Sequence, residues 1–156
     1  MNEEQFKNYA NEVGRTMSRH IMLYNNKFVF NKDVKYERPL DREKLGGSTQ
    51  RNVLFYLKRV GEETMSKIAY DVNCDKGNLS KLVNDLVKKG FAKRIQKEND
   101  RRNVHISLTD KGNELMNEES EMFLKNSEYT LKKLTDEEKR DFLEKYKGVT
   151  AYMEKL

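Results

Sequence analysis

Cysteine, proline, tryptophan and long apolar runs are scarce or absent in this sequence. Its 156 residues include one cysteine, one proline and no tryptophan. A single cysteine excludes an intramolecular disulfide, and a cytoplasmic location fits that composition. The longest apolar run, "VLFYL", is far shorter than the roughly 20 residues of a membrane span. With only Pro39 to interrupt them, long helices are permitted.

The sequence also lacks the usual signatures of targeting, catalysis and metal binding. The first residues, "MNEEQFKNYA", are too polar and acidic for a signal peptide. There is no glycine-rich phosphate loop, nucleophile motif or paired-carboxylate arrangement, so we predict that the protein is not an enzyme. His20 and His105 are far apart, and no Cys/His/carboxylate spacing resembles a metal site. We therefore expect no metal and no cofactor.

Positive charge is concentrated in one part of the chain. The net charge is +5, but residues 76–105 contain nine Lys or Arg and three Asp or Glu, a net of +6, which leaves −1 elsewhere. Such a segment suggests a surface that faces a polyanion. On charge alone, a solvated lysine-rich face explains it equally well.

Two segments near the ends have the apolar period of helices that pack on other helices. Residues 3 to about 31 repeat apolar side chains every three or four positions. This long helix could pack against another subunit, against the C-terminal helices of its own chain, or against both. Thr135 and Glu138 form a predicted capping box before a last helix with a near-heptad apolar stripe.

The middle of the chain begins with a connector and two helices. Residues 32–47 contain Pro39 and a glycine pair and are predicted to be a connector. Ser48 is the predicted N-cap of a helix that Gly61 ends. Thr64 is then placed to cap a short helix.

A third helix in this region has the clearest pattern. Asp75 is a good N-cap, and Gly90 stands where a left-handed residue would end the helix. One face is apolar, and the other carries short polar and basic groups. The apolar positions are Leu79, Leu82, Val83, Leu86 and Val87.

A two-stranded hairpin is predicted after this helix. Residues 91–97 form one strand, "ENDRRN" the turn, and residues 104–108 the second strand. His105 should face solvent, opposite Val104 and Ile106. Two helices joined by the tight turn "DVNCD" and followed by a basic hairpin indicate a helix-turn-helix with a wing, of the kind that enters DNA grooves.

These residues carry a family resemblance. "IAYDVNCDKGNLSKLVNDLVKKGFAKR" followed by "ENDRRNVHISLTDKG" resembles the winged helix of MarR-type bacterial transcription regulators. The matching features are the body of the recognition helix, the "D-x-R" of the wing and the exit "V-x-I-x-L-T-x-K-G". Cys74 and Gly77 depart from the usual small aliphatic and small polar residues.

The resemblance implies a mainly α fold with a small β-hairpin wing (α+β), a winged helix-turn-helix with a helical dimerisation layer. It implies dimerisation segments at 1–45 and 113–156 around a DNA-binding domain at 46–112. It further implies a homodimer that binds double-stranded DNA at a palindromic operator, often as a repressor that a small aromatic or anionic effector releases.

Candidate site residues follow from this arrangement. Asp100 and Arg94 are predicted to support the wing, with Asp100 pairing with Arg94 or Arg102. Base and phosphate contacts are expected from the recognition helix at Lys76, Gly77, Asn78, Ser80, Lys81 and Asn84, and from the wing at Arg101, Arg102 and Lys97.

Two further sites have competing interpretations. His20, Tyr24 and Tyr56 could line a ligand pocket, although core and interface packing explains such residues as well. Cys74, just before the recognition helix, could be a redox switch or a small buried core residue. At the level of the whole protein, the alternative to a sequence-specific regulator is a winged helix for protein contacts or non-specific DNA architecture.

Overall fold

The structure is a computed structural model that describes residues 1–29, 39–43, 45, 47–97 and 100–156, with the backbone alone at 41, 42 and 100–102. It divides into two compact units, Met1–Lys35 with Phe123–Leu156 (unit 1) and Tyr36–Met122 (unit 2). The described elements are α1 (Glu3–Tyr24), a π-helical turn (Asn25–Val29), α2 (Pro39–Arg42), α3 (Ser48–Val60), β1 (Glu62–Thr64), α4 (Met65–Asp71), α5 (Lys76–Lys88), β2 (Ala92–Lys97), β3 (Asp100–Leu108), α6 (Asp110–Leu131) and α7 (Asp136–Met153).

Unit 2 is organised around one apolar core. The amphipathic faces of α3, α4 and α5 meet there, together with one face of the sheet and the first turns of α6. The apolar period of α5 is used as predicted, because Leu79, Val83 and Leu86 are all fully buried. Among the described residues, the other fully buried apolar side chains are Leu40, Val53, Leu54, Leu57, Ile68, Phe91, Ile106 and Met116.

The wing belongs to a three-stranded antiparallel sheet with the order β1-β3-β2. The predicted hairpin of β2 and β3 is present, with Ala92 opposite Leu108 and a register shift between Gln96 and Lys97. The added strand is β1, which pairs Glu62 with Ser107. Three residues are too few to show alternation, so the sequence pattern contained no sign of it. The predicted fold class, mainly α with a β wing, is confirmed.

Local capping sets the ends of the helix-turn-helix as predicted. The Thr64 side chain accepts a hydrogen bond from the backbone N–H of Lys67, and the Asp75 side chain accepts one from Asn78. Gly90 has φ +78°, the left-handed conformation that ends a helix. Between the helices, Asn73 also has a positive φ, 50°, a conformation that asparagine tolerates better than most residues.

Three predicted boundaries in unit 2 are wrong. The strand β3 begins at Asp100, inside the stretch 98–103 that was predicted to be the turn of the hairpin. The helix α3 starts at Ser48, and Gly47 is its N-cap, with no side-chain hydrogen bond to the cap. The predicted connector contains the short helix α2, and Leu40 within it is fully buried. The Leu40 N–H donates to Oε2 of buried Glu119 at 3.4 Å, so α2 is anchored to α6. Residues 30–38, 44 and 46 lie outside the described part of the connector.

The exit from the wing depends on a close backbone approach. Thr109 caps α6 by accepting from the Gly112 N–H at 3.0 Å, and its hydroxyl donates to the Gly90 carbonyl at 2.6 Å. A Cβ on Gly112 would collide with the Phe91 carbonyl oxygen. The "T-x-K-G" motif therefore joins the start of α6 to the end of the recognition helix.

Unit 1 is built from long helices whose apolar stripes stay exposed. The capping boxes at Asn2 and Gln5, and at Thr135 and Glu138, are both formed. The first helix is α-helical to Tyr24 and continues as a π-helical turn to Val29, and its predicted end near residue 31 lies outside the described residues. Neither α1 nor α7 buries a residue. Their exposed large apolar residues include Phe6, Tyr9, Met17, Ile21, Leu143, Val149 and Met153.

Candidate nucleic-acid interface

The outer face of α5 presents the polar side chains that the sequence suggested. The apolar face is held in the core, so the opposite face must point to solvent. Ser80 is half-buried, and the other five candidates are exposed: Lys76, Gly77, Asn78, Lys81 and Asn84. Because the helix is capped at Asp75, these groups stand on a helix with a defined N-terminus.

Gly77 lies in the first turn of α5, beside the cap. A Cβ at this position would lie 3.3 Å from Oδ1 of Asp75, the atom that accepts the Asn78 N–H at 2.8 Å. A side chain here would press on the capping carboxylate. Glycine thus leaves room for the cap, and it leaves the backbone of the first turn uncovered.

Asn84 has a partner within the protein. Nη2 of Arg94, on β2, donates to Oδ1 of Asn84 at 2.7 Å. The side chains of Asp100, Arg101 and Arg102 lie outside the described residues, so the predicted pairing of Asp100 with Arg94 or Arg102 stays a prediction. The observed contact ties the recognition helix to the wing.

A second polar link ties α5 to α3. The buried amide of Gln50 donates from Nε2 to Oδ2 of Asp85 at 2.8 Å. The same carboxylate oxygen lies 2.9 Å from Nζ of Lys89. The hydrogen bond from Lys89, and then that from Gln50, hold the pKa of Asp85 below its usual value. Asp85, one of the three acidic residues in the basic segment, therefore links α5 to α3.

Lys97 and His105 meet at the root of the wing. Oε1 of Glu62, on β1, lies 2.7 Å from Nζ of Lys97 and 3.2 Å from Nδ1 of His105. The Lys97 contact is an ion pair rather than an aligned hydrogen bond. The contact with the Lys97 ammonium is the main cause that holds the pKa of Glu62 below its usual value. The expectation that His105 faces solvent is wrong, because its side chain is only 13% exposed and lies against Glu62 of β1.

Cys74 lies in the turn before α5 and is half-buried against the core. Its Sγ is 3.5 Å from the Asp75 carbonyl oxygen, and its N–H donates to the Ala69 carbonyl at 2.9 Å. Cys74 therefore packs on the core with part of its surface exposed, and the redox switch stays a prediction.

His20 and Tyr24, predicted for a ligand pocket, belong to a row of rings in unit 1. The His20 ring centroid lies 6.3 Å from that of Tyr24 and 5.7 Å from that of Tyr146. Tyr24 in turn lies 5.9 Å from Phe28 and 6.3 Å from Phe123. The row provides flat apolar surfaces with polar edges.

Tyr56, the third residue predicted for the pocket, belongs to unit 2. It is buried, and its hydroxyl donates to Oδ2 of Asp71 at 2.6 Å. This hydrogen bond, followed by burial, raises the pKa of Tyr56 to about 12. Lys67 lies 2.9 Å from the other carboxylate oxygen of Asp71. Tyr56 therefore braces α3 against α4.

Other kinds of site were sought in the described residues. They contain no group of three or more His, Cys, Asp or Glu side chains arranged to hold a metal ion. In the same part of the chain, no helix combines the length and hydropathy that a membrane span requires.

Sequence patterns missed the polar pairs between separate elements of this site. Glu62 lies on a strand of three residues, and Asn84 and Arg94 are ten positions apart on different elements. Gln50 and Asp85 are 35 positions apart. Periodicity reports which face of one element is apolar, and it carries no information on polar pairs between elements.

Known proteins share this arrangement of helices and wing. A protein-family profile described as a winged helix DNA-binding domain matches residues 47–112. Over 93% of this chain and 96% of the other, the fold is similar to a MarR-like transcriptional regulator from Thermotoga maritima, with a TM-score of 0.69 and 21% identity. Residues 47–112 therefore match a winged helix DNA-binding profile, and the chain has the fold of MarR-like regulators.

Two other proteins are similar to this chain, one in fold and one in sequence. A mutant of MarR from E. coli is similar over 88% of this chain and 95% of that one, with a TM-score of 0.66 and 22% identity. The HTH-type transcriptional regulator BilQ from Clostridioides difficile is 23% identical over 90 residues, which are 58% of this chain. The match spans 61% of the length of BilQ. The resemblance to MarR-type proteins that the sequence motifs indicated is confirmed for the fold.

Proposed function

We propose that this protein is a cytoplasmic, sequence-specific transcriptional regulator that binds a palindromic operator as a homodimer and represses transcription. The observation that carries the proposal is the capped helix α5, whose exposed polar face stands beside a basic wing. The relatives with this fold include named transcriptional regulators. The contacts in this proposal are those predicted from the sequence.

The proposed DNA contacts divide between two grooves. Lys76, Asn78 and Lys81, exposed on the first two turns of α5, would meet base edges and phosphates in the major groove. Arg101 and Arg102 would enter the minor groove or contact its phosphates from the wing. Arginine suits a narrow A·T-rich minor groove, where the negative potential is strongest.

Exposed apolar faces in unit 1 support the proposed homodimer. Ile21 is 56% exposed and Val149 is 63% exposed, although both belong to the apolar stripes of long helices. A soluble protein seldom leaves such stripes uncovered. Pairing with a second copy would bury them and would hold two recognition helices about one DNA turn apart, roughly 34 Å.

A small aromatic or anionic effector is proposed as the releasing signal. The row of rings around His20 and Tyr24 supports an aromatic compound, because stacked rings recognise a further ring. A ligand that favours another angle between the two DNA-binding lobes would prevent both from reaching the operator together.

A competition assay tests sequence-specific regulation. Labelled duplex from the region upstream of the gene is bound to the protein and challenged with the same unlabelled duplex or with random duplex at fixed salt. The proposal expects the upstream duplex to compete roughly 1,000-fold better or more, the lower end of known specificity ratios. Equal competition would replace it with non-specific DNA architecture, and no DNA binding would favour a protein-interaction module.

Charge removal tests the proposed contacts. Lys81→Ala and Arg102→Ala should each weaken operator binding, by about 1–3 kcal/mol for a good groove contact. Lys147→Ala removes one positive charge from α7 and is the matched control, since Lys147 is exposed and outside the winged helix. An equal loss in the control would show that only net charge matters.

Oligomeric state tests the homodimer. Ile21→Glu places a charge in the exposed stripe of α1 and should reduce the mass measured by light scattering from twice 18.5 kDa to 18.5 kDa. Arg19→Glu changes the charge at another exposed position of α1 as a control. A wild-type protein that is monomeric at micromolar concentration would exclude the dimer.

A further inference from the structure

The apolar core packs against only the lower part of the hairpin, up to the pair formed by Arg94 and Ile106. Arg94 is paired with Ile106, so their side chains share a face of the sheet, and Ile106 is fully buried. The next pair on that face is Gln96 with Val104, and Val104 is already 40% exposed. Beyond the level of Arg94, apolar packing therefore no longer fixes the direction of the hairpin on this face.

A polar contact lies at that same level. The guanidinium of Arg94 donates to Oδ1 of Asn84 at 2.7 Å, a short, charge-assisted hydrogen bond. Asn84 lies on the outer face of the recognition helix, and Arg94 lies on the edge strand β2. The bond thus joins the recognition helix directly to the wing at the point where the core ends.

The opposite face of the hairpin has its own polar contact. Side chains at Lys97, His105 and Ser107 point away from the face that carries Ile106. Glu62 is paired with Ser107 and places Oε1 2.7 Å from Lys97 on β2 and 3.2 Å from His105 on β3. One carboxylate outside the hairpin thereby contacts both of its strands.

We propose that Asn84 and Glu62 are positioning residues that hold the root of the wing from its two faces and set its angle to the recognition helix. Asn84 acts through Arg94, and Glu62 acts through Lys97 and His105. In this assignment Asn84 and Lys97, both predicted to contact DNA, serve the geometry of the wing instead.

The angle matters because, in the proposed function, the recognition helix and the wing contact DNA together. The bond from Arg94 to Asn84 joins them at the level where the apolar core ends. A wing that swings freely would lose entropy on binding and would place its arginines in the groove less often. The consequence for DNA rests on the proposed function, whereas the support of the hairpin is a property of the free protein. The two are tested separately.

Hydrogen exchange of the DNA-free protein tests the support. Asn84→Ala and Glu62→Gln should each speed amide exchange of the hairpin strands about threefold to tenfold, the range for losing one exposed charge-assisted contact. Amides of α3 serve as the internal reference and should be unchanged. Asn84→Asp keeps an acceptor for Arg94 and should retain wild-type exchange in the hairpin.

Lys88→Ala is the matched control for charge, because it removes one cation from α5 and leaves both contacts intact. Its hairpin exchange should equal that of the wild type. Wild-type exchange rates in the hairpin of both Asn84→Ala and Glu62→Gln would overturn the proposal, whatever the DNA measurements show.

A double-mutant cycle then tests the effect on DNA. Asn84→Ala and Arg102→Ala are measured singly and together on the upstream duplex. Positioning predicts that Asn84→Ala costs much less once Arg102 is absent, and that Arg94→Ala matches Asn84→Ala. Independent losses would make Asn84 a direct DNA contact and overturn its positioning role. Faster hairpin exchange in a protein that does not prefer its upstream DNA would refute the regulator and leave the support intact.

Discussion

Units 1 and 2 use the same helical periodicity with opposite results. In unit 2, the apolar stripe of α5 is fully buried at Leu79, Val83 and Leu86. In unit 1, the stripe of α1 is equally regular, yet no residue of this helix is buried. The amphipathic pattern establishes that a face should be covered, and it does not establish whether the cover comes from the same chain.

The burial of apolar surface should contribute to stability in unit 2 and to association in unit 1, and this difference can be measured. Each Å² of apolar surface removed from water contributes roughly 25 cal/mol. Residues of the unit 2 core make that contribution within one chain, whereas exposed residues of α1 and α7 can make it only on association. Matched substitutions in the two units should therefore change different measured quantities.

The largest contrast is expected between two leucines. Leu57→Ala removes a fully buried side chain from unit 2 and should lower the free energy of unfolding by about 2–5 kcal/mol in urea denaturation. Leu143→Ala truncates a side chain that is 55% exposed and should cost far less within one chain. If the proposed dimer is correct, its effect should appear in the dimer dissociation constant. Equal losses of unfolding free energy would abolish the contrast.

Two glycines give the next contrast. Gly112→Ala would force a methyl group against the Phe91 carbonyl and should destabilise the protein by about 1–3 kcal/mol. Gly148→Ala adds a methyl group in open space on α7 and should be neutral or stabilising by up to about 1 kcal/mol. Thermal unfolding of both variants checks the pair. An unchanged melting temperature for Gly112→Ala would show that the backbone at Phe91 and Gly112 can move apart at little cost.

The smallest contrast is between two tyrosine hydroxyls. Tyr56→Phe removes a buried donor to Asp71 and should cost about 1–2 kcal/mol. Tyr146→Phe removes an exposed hydroxyl that lies 3.5 Å from Nε2 of His20 and should cost less than about 0.5 kcal/mol. Urea denaturation at pH 7 measures both.

The hydrogen bond between Tyr56 and Asp71 should also make the stability of the protein depend on pH. The hydrogen bond from Tyr56, and then that from Lys67, hold the pKa of Asp71 below its usual value. Its contribution is complete above the unfolded-state pKa of about 3.9 and is lost as the pH falls through the lower folded-state pKa. The stability difference between wild type and Tyr56→Phe should therefore shrink in acid. A constant difference from pH 7 to acid would show that the Asp71 charge does not contribute.

Local chemistry explains what sequence patterns predicted well. The caps at Thr64, Asp75 and Thr135 and the helix ends at Gly61 and Gly90 need only a few neighbouring residues, and all five are formed. The order of helices and hairpin also follows from periods of 3.6 and 2.

The errors occurred where distant segments interact. The strand β1 exists because β3 offers an edge to it, and α2 is anchored by Glu119, 79 positions from Leu40. His105 contacts Glu62 of β1, a strand that the sequence pattern did not predict, so the predicted exposure of His105 is also wrong. The candidate contacts on α5 were placed on its exposed face, and their action on DNA stays a prediction.

The capped helix α5, the hairpin after it and the basic charge between residues 76 and 105 could be predicted from neighbouring residues. The bond from Arg94 to Asn84 and the contacts of Lys97 and His105 with Glu62 are found only in the folded chain. Periodicity and capping are short-range properties that neighbouring residues specify. The direction of a wing depends on polar contacts between distant elements, and these become defined only when the core brings the elements together.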